Sequence, residues 1–224
     1  MSENIRENIY ENPELMFISL FPSRLKTGIV GGGRAALIKG EALASKGCYV
    51  EMLAREFSKE VEGLQDRGVR LITGDYYREF ISDKHLVIIA LNSSADAEKI
   101  REDCESLSKI YIDCRNYKSG MGTVPAQGSV TNISFAVNTK GGNPKAALML
   151  KDIIRNNMEE YDGFIEFINK IRERTKDLPE YKNEILAFIA TEDYKSMWQK
   201  NLGKEVLLLF FQQEIVEKLT EELI

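Results

Sequence analysis

The feature that most constrains this chain is a run of three glycines, Gly31-Gly32-Gly33, between a short apolar run and a helical stretch. Lys26–Val30 precedes it, and from Arg34 to Lys46 the residues Ala36, Leu37, Gly40, Leu43 and Ala44 fall along one helical side, with Gly47 closing the stretch. Gly31-Gly32-Gly33-Arg34-Ala35-Ala36 fits the pattern G-x-G-x-x-[GA]. A strand that enters such a turn and leaves it as a helix needs a sharp reversal at Gly31. It also needs a bare backbone at Gly33 for a pyrophosphate to approach, and a small side chain at Ala36 so that helix and sheet pack closely. The first helical turn, beginning with Arg34 and Ala35, then offers N–H groups and the positive end of its dipole to phosphate. The turn predicts a dinucleotide site on Gly31, Gly33, Arg34, Ala35 and Ala36, for NAD with NADP left open.

Around the turn, Tyr49–Leu53, Val69–Thr73, Leu86–Leu91 and Ile110–Ile112 read as further strands. Helical patterns at Lys59–Arg67 and Ala95–Ser106 separate them, which indicates βαβ units and a parallel sheet. Leu86–Leu91 shows no polar alternation, as expected of a strand covered on both faces. Dinucleotide folds place an acid on the ribose about 20 residues past the turn. Glu51 lies at that distance but in mid-strand. The strand ends at Ala54-Arg55-Glu56, where Arg55 can lie over the adenine or meet a 2′-phosphate and Glu56 can bond a ribose hydroxyl.

The character changes after Asp113. Residues 115–129 hold turn formers and few apolar residues and read as a long loop. Asn132–Asn138 alternates as a strand, and Thr139–Asn143 is a turn before a helix opened by Pro144. From Lys145 onward, apolar residues recur at three- and four-residue spacing, with interruptions near Pro179 and Gly203. The reading is an α/β chain: a Rossmann-type parallel sheet over 1–114, a strand-plus-helix segment over 115–150 and a helical domain over 151–224.

Composition narrows the chemistry. With 35 acids against 30 bases the net charge is -5, which argues against a general nucleic-acid binder. His85 is the only histidine and precedes a strand directly, so it reads as a strand-edge residue; His-rich zinc sites are excluded. Cys48, Cys104 and Cys114 show no C-x-x-C spacing and fit reduced thiols, with no metal site expected. The first residues lack a basic and an apolar region, and the apolar runs Leu86–Leu91 and Val206–Phe211 are too short for a bilayer. A cytoplasmic protein without a membrane partner is expected. Arg115, Lys118, Lys140 and Lys145 lie around two loops and form a candidate anion-binding set. Trp198 and Phe210-Phe211 are expected to pack the helical segment or a dimer contact.

Gly31-Gly32-Gly33-Arg34-Ala35-Ala36-Leu37-Ile38-Lys39 resembles the GGGxVAxxK signature of precorrin-2 dehydrogenases, with Ala35 where the signature has valine. Some members of that family are also sirohydrochlorin ferrochelatases. Ala90-Leu91-Asn92-Ser93 stands where the family has A-T-[ND]-[DN], and Val124-Pro125-Ala126 matches its [IV]-P-[AS] element. The run Asn138-Thr139-Lys140-Gly141-Gly142-Asn143-Pro144 resembles its S-[ST]-x-G-x-S-P turn. The helical stretch from about Tyr161 to Tyr194 is similar to the C-terminal region of the short, dehydrogenase-only bacterial members. The resemblance covers nearly the whole chain.

The resemblance implies NAD-dependent oxidation of precorrin-2 to sirohydrochlorin in sirohaem or tetrapyrrole synthesis. It implies a homodimer in which 115–150 is the dimerisation segment. Asn92 would join the cofactor site, and Arg115, Lys118, Thr139, Lys140, Gly141 and Lys145 would hold the tetrapyrrole. Bifunctional members carry a catalytic aspartate in N-x-x-D after the fifth strand; here the stretch reads Asp113-Cys114-Arg115-Asn116, making Asp113 and Asn116 the catalytic candidates. Asparagine cannot act as a general base there. Two alternatives stand beside the dehydrogenase: a non-catalytic NAD(P)-binding regulator of the same fold, and a sirohydrochlorin ferrochelatase.

Overall fold

In the computed structural model, which describes residues 14–221, the chain divides at Val124–Pro125 into two units. The first is built on five parallel strands: β1 (Lys26–Val30), β2 (Tyr49–Ala54), β3 (Arg70–Thr73), β4 (Leu86–Ile89) and β5 (Ile110–Asp113). Their order is β3-β2-β1-β4-β5. The order reverses between β1 and β4, the point at which the carboxyl ends of an open α/β sheet leave a crevice.

Both sheet faces are covered. Helices α1 (Arg34–Ala44) and α2 (Lys59–Glu62) pack over Ile29, Val50, Met52 and Ile88. On the other face, α3 (Ser94–Ser106) and a 3-10 turn at Arg78–Ile81 cover Val30, Leu53, Val87 and Ile89. Each fully buried side chain of this kind contributes roughly 1.5–3 kcal/mol. Helix α1 lies close because its contact residues are small. Ala36 is fully buried, and a Cβ at Gly40 would stand 3.0 Å from Leu64 Cδ1.

The observed strands follow the sequence reading within a residue or two. Leu86–Leu91 loses its last two residues to the loop, although Ala90 N still donates to Val30 O at 2.8 Å. The helix expected over Lys59–Arg67 is α-helical only to Glu62 and then tightens to 3-10 over Gly63–Arg67. Gly63 stands at the junction, and glycine is a poor helix former. His85 ties the strand edge as expected: its Nδ1 accepts from Lys26 N at 3.0 Å.

One charged cluster interrupts the apolar faces. Glu51, 6% exposed, lies opposite Gly28 in the β1–β2 register, and the bare glycine leaves room for Lys84. A Cβ at Gly28 would meet Lys84 Cγ and Phe80 Cε1 at 3.1 Å. Lys84 Nζ lies 2.7 Å from Glu51 Oε2 and also pairs with Asp83. Glu51 Oε1 accepts from Tyr49 Oη at 3.0 Å and Arg70 Nη1 at 2.9 Å. Burial pushes the Glu51 carboxyl up, but the bonds from Lys84, Tyr49 and Arg70 outweigh it and hold the group below its ordinary value.

The second unit opens with an antiparallel hairpin, β6 (Ala126–Ser129) and β7 (Ser134–Val137). The stretch 115–129 was expected to be loop throughout, so β6 corrects that expectation. Its sequence, AQGS, lacks apolar alternation because Gly128 gives its space to the Phe135 ring. A Cβ there would lie 2.4 Å from Phe135 Cζ. The hairpin is tied to α4 (Pro144–Arg174) through Asn132, whose backbone N donates to Asp162 Oδ1 at 2.7 Å. The far half of α4 buries Phe164, Phe167 and Ile171 against α5 (Lys182–Ile189), α6 (Glu192–Gln199), α7 (Gly203–Phe210) and α8 (Gln213–Thr220). Trp198 and Phe211 join this core, whereas Phe210 is 65% exposed. A break between α5 and α6 escaped the periodicity; Thr191 makes it by capping Tyr194 N at 3.2 Å. In the near half of α4, Leu148, Met149 and Ile153 are about half exposed.

The Glu51 cluster gives a pH prediction. A carboxyl held low in the folded state adds stability above its unfolded value of about 4.3, and that stability fades as pH falls through the folded value. Glu51→Gln should destabilise the protein near neutrality by about 3 kcal/mol, the low end for a broken buried pair because Lys84 keeps Asp83. In urea unfolding, the difference from the parent should shrink as the medium is acidified below about pH 4. Parallel stability curves down the acid limb would refute the assignment.

Candidate nucleotide-binding site

The glycine turn occupies the carboxyl end of β1. Gly31 has φ +133°, and a Cβ there would stand 2.3 Å from Ala90 O, so only glycine fits beside the end of β4. Its N–H donates to Leu53 O at 2.9 Å. Gly32 is packed from the β2 side: a Cβ would fall 2.0 Å from Glu56 O, and Gly32 O accepts from Ser58 N at 3.1 Å. Gly33 differs from both. No atom lies within 4 Å of its Cβ position.

Gly33 is the N-cap of α1, with no side-chain cap on the first-turn N–H groups and no acid in that turn. Arg34 and Ala35 are exposed at the start of the helix. The turn is therefore filled behind by Ala90 and Glu56 and open in front at Gly33, where the helix presents N–H groups and positive dipole. These residues fit a dinucleotide pyrophosphate: a Cβ would fill the cradle, and its electrostatics favour an anion.

Beside the turn, Arg55 and Glu56 are exposed at the end of β2. Arg55 Nε donates to Asp75 Oδ1 at 2.5 Å. Across the reversal point, Arg115 Nη1 donates to Asn92 O at 2.5 Å and to Ser94 Oγ at 2.8 Å, joining the loops that follow β4 and β5. Asp113, 2% exposed at the end of β5, accepts from Arg115 N at 2.9 Å and Asn116 N at 3.3 Å on Oδ1. Its Oδ2 accepts from Arg101 Nη1 at 2.6 Å. Asn116 is turned into its own loop, where Oδ1 accepts from Lys118 N at 3.2 Å and Nδ2 donates to Ser119 Oγ at 2.7 Å. Burial pushes the neighbouring Cys114 thiol up.

The first unit thus gathers Gly31, Gly33, Arg34, Ala35, Ala36, Arg55 and Glu56 around one turn, and joins Asn92 to Arg115 and Asp113 to Asn116. In the second unit, Thr139, Lys140, Gly141 and Lys145 surround the start of α4. There Thr139 Oγ1 accepts from Asn143 N at 2.7 Å, and Asn143 Oδ1 caps Ala146 N at 3.1 Å. Among the described residues, no group of three His, Cys, Asp or Glu side chains gathers as a metal site. No helix among them is long and apolar enough to cross a membrane.

Sequence reading missed Ser58, Asp75 and Arg101. Ser58 carried a signal, since it accepts from Val61 N at 3.4 Å as a helix cap before Lys59-Glu60. Asp75 follows Gly74 directly after β3, and only the strand register shows that it faces Arg55.

The fold and the turn define an NAD(P)-binding α/β protein. Residues 18–126 match the family described as "Putative NAD(P)-binding". The chain is 22% identical over 172 residues to a precorrin-2 dehydrogenase of Priestia megaterium, covering 75% of this chain and 85% of that one. It is 33% identical over 81 residues to a siroheme synthase of Psychrobacter sp., covering 36% of this chain and 17% of that one. The solved structure of SirC, precorrin-2 dehydrogenase, superposes with a TM-score of 0.65 at 20% identity, over 87% of this chain and 98% of that one. The chain is thus similar to precorrin-2 dehydrogenases over about three quarters of its length, and it shares their fold.

The open position at Gly33 supplies a direct check of the phosphate placement. Gly33→Asp puts a carboxylate where phosphate would lie, at a position whose backbone any residue can adopt. NAD binding should weaken by roughly 100-fold or more, about 2.7 kcal/mol, with the unfolding midpoint unchanged. Retained affinity in a calorimetric titration would move the phosphates elsewhere.

Proposed function

We propose that this chain oxidises precorrin-2 to sirohydrochlorin with NAD, in the tetrapyrrole synthesis that leads to sirohaem. The observation that supports this most is the extent of the likeness to the Priestia megaterium enzyme. Its 172 residues exceed what the first unit, ending at Val124, can hold. The resemblance therefore continues into the hairpin and helices and is not that of a nucleotide domain alone.

A bound nicotinamide would supply the hydride acceptor. The chain's own residues then have separate tasks. Gly31, Gly33 and the α1 N-terminus hold phosphates, with Arg34, Ala35 and Ala36 forming the first helical turn. Arg55 and Glu56 stand at the ribose end, and Asn92 is fixed at the lip by Arg115. Both oxygens of Asp113 already accept hydrogen bonds, so its role in this reading is to hold the shape of the Arg115–Asn116 loop. Asn116 shapes the same loop, and the proton that accompanies the hydride leaves to water. Arg115 and Lys118 in the first unit, and Thr139, Lys140, Gly141 and Lys145 in the second, are each of the kind, cation or backbone donor, that a polycarboxylate substrate needs.

The same reading includes a homodimer in the cytoplasm. The half-exposed Leu148, Met149 and Ile153 on α4 support the dimer, since clustered apolar exposure marks interaction surfaces. The three unpaired thiols suit a reducing compartment.

Incubation of the purified protein with precorrin-2 and NAD should generate the sirohydrochlorin absorbance spectrum. Tight NAD binding without turnover would exclude the dehydrogenase and favour a regulator of the same fold. For the dimer, Ile153→Asp should convert the sedimenting species to a monomer, with the circular dichroism spectrum unchanged. A dimer that survives this change does not use that face.

A further inference from the structure

We propose that Asp75 sets the choice between NAD and NADP, acting through Arg55: it holds the guanidinium that would otherwise receive a 2′-phosphate. The proposal rests on the reading of the glycine turn as a nucleotide site and adds to it a residue that determines specificity.

The strand register brings the two residues together. Strands β2 and β3 run parallel with Ala54 opposite Thr73, and Gly74 N donates to Ala54 O at 2.9 Å, continuing the ladder past the strand ends. Arg55 and Asp75 therefore emerge side by side at the carboxyl edge, where Nε meets Oδ1 at 2.5 Å. The same loop packs on the phosphate turn, because Glu56 O lies against Gly32 and Ser58 N donates to Gly32 O. In dinucleotide folds the end of the second strand faces the adenosine ribose: an acid bonds a free 2′-hydroxyl, and an arginine accommodates a 2′-phosphate. This chain places both kinds of residue there and engages the arginine with an acid.

The surrounding charges favour the unphosphorylated ribose. The Arg55 guanidinium is pushed above its ordinary value first by the hydrogen bond and charge of Asp75, and also by the charge of Asp96 in the first turn of α3. Glu56 adjoins it in sequence. Arg55 thus feels two carboxylates, with the exposed Glu56 next to it in the chain. A 2′-phosphate, bringing about two further negative charges, meets carboxylates beside Arg55 and a guanidinium whose Nε edge is already engaged by Asp75. A neutral 2′-hydroxyl needs only an acceptor, which Glu56 and Asp75 provide. Replacing Asp75 with asparagine removes one charge and releases the Nε edge of Arg55, which with an Nη group can form a bidentate contact to phosphate.

Direct titration of NAD and NADP at low ionic strength tests this without any substrate turnover. The parent should bind NAD the more tightly. In Asp75→Asn the NADP affinity should rise by about three- to fivefold, the range one exposed charge pair supplies, while NAD binding changes less. The gain should disappear in the double variant Asp75→Asn with Arg55→Ala, and should shrink as salt is added. An unchanged NAD-to-NADP ratio in Asp75→Asn, or a gain that persists without Arg55, overturns the proposal. Failure of the parent to bind either nucleotide overturns it together with the nucleotide site, whereas NAD binding with an unaltered ratio overturns the selectivity alone.

Discussion

The contact between Gly31 and the Ala90 carbonyl is the constraint on which the first unit depends. Two strands that diverge at a sheet's reversal point can leave a crevice only if the turn between them stays flat against both neighbours. Gly31 does this toward β4 and Gly32 toward the β2 loop, where added Cβ atoms would fall 2.3 and 2.0 Å from carbonyl oxygens. With those two positions filled from behind, Gly33 is left facing open space as the cap of α1. The open turn at Gly33 is the by-product of close packing: the same bare backbone that lets the sheet close leaves room for an anion to approach.

Much of this was legible in the sequence, because the relevant signals are local. The glycine run, the small residues Ala36 and Gly40, and the unbroken apolar stretch at Leu86–Ile89 each follow from neighbours in the chain, and they appear where expected. Local signals fail where the partner is distant. Strand β6 is invisible as a pattern because Gly128 takes its place by yielding space to Phe135, a residue on the opposing strand. Glu51 lies at the expected distance from the turn, yet it is engaged by Lys84, whose approach depends on Gly28 in a third segment. The Arg55–Asp75 pair spans 20 residues of sequence and exists only through the β2–β3 register.

The loops at the carboxyl edge show a common design in which side chains fix backbone. Asp113 orders the start of its loop through two backbone N–H groups and anchors it to α3 through Arg101. Arg115 then links that loop to the one after β4. Charged residues that composition alone would assign to solvent are here structural struts. This is why counting the basic residues of this region says little about ligands until each hydrogen bond is traced.

Helix α4 carries a consequence of its length. At 1.5 Å per residue, its 31 residues extend about 46 Å, so its two ends are stabilised by unrelated means. The far end is anchored by aromatic burial; the near end is held by the Thr139–Asn143 cap and the buried Ala147, with Leu148, Met149 and Ile153 half exposed. Lys140 in the capping turn and Lys145 in the first turn of the helix thus stand where local capping bonds, not aromatic packing, hold the chain. Substitutions in this turn therefore act on local hydrogen bonds at one end of the helix, about 46 Å from its other end, and leave the aromatic contacts of the far half in place.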